Sequence, residues 1–226
     1  MANRRNVVAV EDCLKAIYSV GEWDPSSRTV GDIAARLRAS TSSVSELVKR
    51  LTDDGLVEHE RYGTVALTDA GLARALQMVR RHRLIETYLV TALDYGWDEV
   101  HDEAEVLEHA LSDRLLDRID EQLGYPTRDP HGDPIPSRDG RVEQPEAVLL
   151  RVVAAGETVR IVRISDRDPQ LLRHLEAEAV ALDGVFTVVS TDPFVVRGEG
   201  AAGARTIAPE SLDSVWVSRS GQGRVK

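Results

Sequence analysis

Apolar residues recur at helical spacing near the start of the chain. Val10, Cys13, Leu14, Ile17 and Val20 fall on one face and predict an amphipathic helix. The stretch "DPSSR" breaks it. Thr29 then stands where it can cap a short helix, with Asp32 three residues on to complete a capping box. A third helix is predicted to begin among the hydroxyl residues at 40–43, bury Val44, Leu47, Val48 and Leu51, and stop at Gly55. The period then changes. "LVEHERYGTVALTDAG" alternates around a turn at Tyr62-Gly63, which predicts a β-hairpin. Two helices joined by a short turn and followed by a hairpin form a winged helix-turn-helix pattern.

Helical spacing returns in "GLARALQMVRRHRLIETYLVTAL", a long helix, and "WDEVHDEAEVLEHALSDRLLDRIDEQL" supplies one or two more. Residues 124–145 are dense in Pro, Gly and Asp and read as a loop and linker. Beyond them, "AVLLRVVAAGETVRIVRISD", "GVFTVVSTDPFVVRG" and "RTIAPESLDSVWVSR" read as strands, with a helix at "PQLLRHLEAEAVAL". The expected fold is α+β and multidomain: a winged helix-turn-helix at 1–73, a helical unit at 74–142 and a β-rich unit at 143–226. No apolar run approaches the roughly 18 residues of a membrane span, and the first residues lack a signal-peptide core. The single cysteine, Cys13, excludes an internal disulfide framework and suits a reducing cytoplasm.

Charge is distributed unevenly. The net −10 is carried almost wholly by residues 75–150, with 8 Lys/Arg against 17 Asp/Glu, while residues 1–74 hold 10 against 11. A near-neutral winged helix needs help to bind DNA, from dimerisation or from charge neutralised elsewhere. Its third helix would enter the major groove by its N-terminal end. Thr41, Ser42, Ser43, Ser45 and Glu46 there are short or polar, Lys49 and Arg50 can neutralise phosphates, and Arg28, His59, Arg61 and Tyr62 flank the helix or line the wing.

The acidic third also carries imidazoles. In "HDEAEVLEH", Glu105, Glu108 and His109 stand at i, i+3 and i+4, with His101 one turn earlier; "RRHRLIETYL" adds His82 and Glu86 at i and i+4. Two helices that each present His and carboxylate can close around a divalent ion, which needs four to six donors. Carboxylate and imidazole without thiolate suit Mn2+ better than Zn2+ or Cu+. Cys13 fits the apolar stripe and reads as a buried structural thiol. No nucleophile–base pair, phosphate-binding Gly loop or H-E-x-x-H motif points to an enzyme.

"EDCLKAIY", "GLVEHERYGTVALTDAG", "RRHRLIETYL", "VHDEAEVLEHALSD" and "GDPIP" follow one another as in the diphtheria toxin repressor family of metal-dependent repressors, which the chain resembles over residues 7–140. The C-terminal part looks like the SH3-like barrel of the family's longer members. The resemblance implies a homodimer, two dimers per operator among the options, that binds palindromic operator DNA when loaded with Mn2+ or Fe2+ and represses metal-uptake genes. Co2+, Zn2+ and Cd2+ are the expected substitutes in vitro. By position it implies a primary site of Asp12, Glu105, Glu108 and His109, and an ancillary site of His82, Glu86 and His101 completed from the barrel by Asp166, with Asp168 and Gln170 as rivals. Iron-responsive members carry Met and Cys where Asp12 and Glu105 stand, so the chain looks like a manganese transport regulator. Short manganese regulators have a glutamate where this chain has Lys15, so two separated sites are expected rather than a binuclear cluster. The alternatives are an iron-dependent repressor and a winged-helix regulator that senses an organic ligand.

Overall fold

A computed structural model describes residues 2–24, 27–60, 63–177, 180–198 and 203–219, with side chains described from residue 6 and not at 176–177. Three helices open the chain: α1 (Ala2–Gly21), α2 (Val30–Arg36) and α3 (Thr41–Asp53). Thr29 and Asp32 make the expected reciprocal cap at the start of α2, and Gly55 takes φ +70° just past α3, a conformation that costs glycine little. Strands β1 (Val57–His59) and β2 (Val65–Leu67) pair antiparallel with Val57 opposite Leu67. Arg61 and Tyr62, at the expected wing tip, lie outside the described residues. Leu14, Ile17, Ile33, Val48, Leu51 and Val65 form one core with the first turns of α4 (Asp69–Leu93).

Helix α4 is long because it serves two cores. Its N-terminal part closes the first; farther along, Ile85 and Leu89 pack with Val100 and Ala104 of α5 (Val100–Leu107). Leu84 packs with Leu116 of α6 (Asp113–Gln122) and with Ile135. The C-terminal part is a six-stranded antiparallel sheet ordered β3-β8-β4-β5-β6-β7. Its strands are β3 (Val148–Leu149), β4 (Thr158–Ile164), β5 (Val185–Thr191), β6 (Phe194–Gly198), β7 (Ala204–Thr206) and β8 (Val215–Arg219). Helix α7 (Pro169–Ala177) buries Leu171, Leu172 and Leu175 in the same core.

The segment expected to be a loop and linker is a loop, and it is buried from His131 to Pro136. Its backbone finds partners, which is the condition for burying a loop. Ile164 N–H donates to His131 O at 2.9 Å, Asp129 N–H to Asp133 O at 2.9 Å, and Arg83 Nη1 to Pro134 O at 2.6 Å. Gly132 is required there: its φ is +93°, and a Cβ would lie 2.1 Å from Val162 O of β4. The loop also ties the two ends of the chain together. Asp133 Oδ1 accepts from Trp23 Nε1 at 2.7 Å and from Arg163 Nε at 2.6 Å. The Arg163 guanidinium lies 4.8 Å from the Trp23 ring centre and 4.2 Å from that of Trp216.

Candidate metal centre

Asp12 on α1 meets the end of α5. The helix stops at Leu107, one residue short of the expected pair, so Glu108 is its C-cap and His109 lies on the following turn. That turn aims His109 at α1. His109 Nε2 is 2.7 Å from Asp12 Oδ1 and 3.4 Å from Glu108 Oε1, and its Nδ1 is 3.1 Å from Glu11 Oε2. Asp12, Glu108 and His109 thus place donor atoms within 4.8 Å of one another. Burial pushes the Asp12 carboxyl above its usual range, against the pull of His109. Glu11, not expected from the sequence, meets His109 from the position before Asp12, where a carboxylate carries no distinguishing pattern.

Glu105 does not join that set. It faces His82 and Lys15 instead, and His82, Glu105 and Glu108 form a second possible donor set. His82 links the clusters. Its Nδ1 is 2.6 Å from Glu108 Oε2, and its Nε2 is 2.9 Å from Glu86 Oε1 and 3.0 Å from His101 Nδ1. His101 Nδ1 is also 3.2 Å from Glu86 Oε1, so His82, Glu86 and His101 gather as expected. Burial works against a charged His82, but Glu86 and the bond to Glu108 outweigh it and raise its pKa to about 9. Burial opposes ionisation of Glu86 too, yet His82 and His101 hold it well below the carboxylate range.

Asp166 follows β4 and stands at the edge of this cluster, 3.7 Å from His101 Nδ1, where it accepts from Arg36 Nη2 of α2 at 3.0 Å. Its rivals point elsewhere: Asp168 and Gln170 are exposed, and Asp168 Oδ1 accepts from the Gln170 and Leu171 N–H groups to cap α7. The sequence reading missed a further set. Glu86, Asp129 and His131 place donor atoms within 4.8 Å, all three buried. Burial, Asp133 and Glu86 raise Asp129 to about 7. Two carboxylates flanking a histidine in "DPHGDP" were the available signal, obscured by the loop-like composition around them. Each set offers only oxygen and nitrogen donors. That suits a divalent ion such as Mn2+, and no set contains Cys13, which is fully buried in the first core with its thiol pushed up to about 12 by burial.

On the opposite face, α3 presents Thr41, Ser42, Ser43, Ser45, Glu46, Lys49 and Arg50 to solvent. Ser40 caps the helix by accepting from Ser43 N–H, and its hydroxyl lies 2.9 Å from that of Ser42. Ser45 is turned back to Thr41 O, and Arg50 donates to Asn6 Oδ1 at 2.8 Å. Arg28 is directed inward, donating to Gly21 O at 3.2 Å beside β2.

Residues 7–65 match the family model of the iron dependent repressor N-terminal DNA binding domain, and residues 68–137 that of its metal binding and dimerisation domain. The iron-dependent repressor IdeR of Mycobacterium tuberculosis is 37% identical over 200 residues, covering 82% of this chain and 85% of its own length. The diphtheria toxin repressor of Corynebacterium diphtheriae is 34% identical over 167 residues, covering 71% and 74%. Among solved structures, a manganese-dependent transcriptional repressor in complex with manganese superposes with TM-score 0.88 at 44% identity, covering 93% of this chain and 99% of that one. The manganese regulator SloR superposes with TM-score 0.76 at 30% identity, covering 93% and 98%. The chain belongs to the iron-dependent, or diphtheria toxin, repressor family of metal-dependent transcriptional repressors and is not an enzyme.

Proposed function

We propose that the protein is a manganese-dependent repressor that acts in the cytoplasm on metal-uptake genes, gripping palindromic operator DNA as a homodimer, with two dimers on one operator. In this reading residues 1–73 are the reading head, 74–142 the metal-binding and dimerisation unit, and 143–226 the SH3-like unit. One observation carries it: Asp12, on the helix that enters the reading head, shares a donor cluster with Glu108 and His109 of the helical unit. When bound, a divalent ion would supply a positive charge shared by α1 and the end of α5, beyond the one Lys15 brings to Glu108. Asp12, Glu108 and His109 would hold the ion, and Glu105, which faces Lys15 and His82, would have to turn from them to join. His82, Glu86 and His101 would hold a second ion with Asp166, and Glu86, Asp129 and His131 provide a third donor set. Holding the ion fixes α1 against the dimer core and so sets the spacing of the two α3 helices for successive major grooves. The donor chemistry favours Mn2+ over Fe2+, because Asp12 and Glu105 are hard ligands.

Operator affinity titrated against Mn2+, Fe2+, Co2+, Zn2+ and Cd2+ at fixed salt tests the reading. Mn2+ is expected to activate fully, at a free concentration closer to those of Fe2+ and Co2+ than the usual order of divalent affinities gives. Operator binding by the metal-stripped protein as tight as with Mn2+ would end the metal-dependent reading; activation by Fe2+ without activation by Mn2+ would make the protein an iron regulator.

The ancillary cluster makes a pH prediction. His82, with its pKa near 9, carries a proton at neutral pH that it must give up to become a ligand. Acid therefore opposes the metal, and Mn2+ affinity should rise from pH 7 to 9, by up to about tenfold per unit. Calorimetric titrations in buffers of different ionisation enthalpy should show proton release at pH 7 that fades above pH 9. A flat affinity over that range would exclude His82 as a ligand.

A further inference from the structure

Lysine is seldom buried without an anionic partner, and Lys15 is only 7% exposed. It lies three residues beyond Asp12 on α1, a little under one turn, so the two share a side of the helix. Its Nζ donates to Glu108 Oε1 at 2.5 Å and to Glu105 Oε1 at 2.8 Å, and stands 3.5 Å from His82 Nδ1. Those three partners are the second donor set named above. The chain thus places its own ammonium among side chains that could hold a metal. Glu108 Oε1 is also the oxygen that lies 3.4 Å from His109 Nε2. The oxygen that faces the Asp12 cluster is therefore the one the lysine holds.

We infer that Lys15 is a tethered cation that shares Glu105 and Glu108 with the divalent ion and thereby sets the metal concentration the repressor needs. The inference rests on the metal-dependent reading above. Two effects act in the same direction. The ammonium neutralises Glu105 and Glu108 when no divalent ion is held, which lowers what an ion gains by entering. It also repels an ion bound to the same carboxylates, and this repulsion is little screened in a buried site. Glu105, which faces the lysine rather than the Asp12 set, is the carboxylate whose allegiance Lys15 decides. Lys15 is on this account a specificity-determining residue for metal response, with no contact to DNA required.

The test uses the full-length, metal-stripped protein titrated with Mn2+ by calorimetry, in the Lys15→Met and Lys15→Arg variants beside the wild type. Lys15→Met keeps the bulk and removes the charge; it is expected to tighten Mn2+ binding by about tenfold or more. The rise in thermal midpoint at saturating Mn2+ should be larger in that variant than in the wild type, since stabilisation follows affinity. Lys15→Arg retains the charge and should bind Mn2+ within a few-fold of the wild type. Equal or weaker Mn2+ binding by Lys15→Met, with the wild type binding normally, would overturn the tethered-cation role. Failure of the wild type to bind Mn2+ would instead bring down the metal-dependent reading, and the inference with it.

Discussion

Replacing Asp12 with alanine is expected to remove most of the Mn2+-dependent operator affinity, about a hundredfold, while the homodimer stays intact. Asp12 is the donor that α1 contributes to the set with Glu108 and His109, 2.7 Å from His109 Nε2. The other two members sit at the end of α5. Without Asp12 the ion can still be held by the helical unit, but it no longer restrains the reading head. A ligand shifts a two-state equilibrium only by its differential affinity for the states, and coupling energies of this kind typically reach a hundredfold. Sedimentation should show the wild-type dimer, because the unit that matches the dimerisation domain, residues 68–137, keeps its own core around Leu84, Ile85, Leu89, Val100 and Leu116, to which Asp12 does not contribute. Undiminished manganese activation in the variant would remove the bridge between α1 and α5 from the mechanism.

Glu86→Ala should damage the protein even before metal is added. Glu86 is 2% exposed and lies 2.9 Å from His82 Nε2 and 3.2 Å from His101 Nδ1. It is the only residue common to the His82–His101 set and the Asp129–His131 set. Removing one member of a buried ionic group leaves its partner uncompensated, at a cost of about 3–5 kcal/mol. Chemical unfolding of the metal-stripped variant is expected to show that loss. Metal analysis should show fewer Mn2+ ions per chain, with the Asp12 cluster the one retained. Wild-type stability together with wild-type metal content would mean that Glu86 neither balances His82 nor ligates.

The parts legible in the sequence are those governed by local rules. The apolar stripe of α1 is buried at Cys13, Leu14, Ile17 and Val20, the Thr29–Asp32 cap forms, and Gly55 ends α3. Helical spacing likewise brought His82 and Glu86 together, one turn apart on α4. Spacing served less well where helix geometry ends. His109 lies past the last turn of α5, whereas Glu108, its helical C-cap, still shares a face with Glu105; both carboxylates meet Lys15, and only Glu108 also reaches the Asp12–His109 set. The segment 124–145 is legible as a loop, but its burial is not, because Pro, Gly and Asp signal turns whatever their burial. Its burial is decided by partners distant in sequence, among them Arg83, Trp23 and Arg163. Asp129 and His131 were missed for the same reason.

The packing of the Arg163 guanidinium against both Trp23 and Trp216, with its bond to Asp133, means that the C-terminal sheet is not an optional appendage. Cutting the chain before β3 would expose the Trp23 indole to water, strip Asp133 of a guanidinium and release Arg36 from Asp166. A shortened form would therefore not behave as the same switch with a piece missing, but as a looser one whose DNA-reading end has lost an anchor independent of any ion.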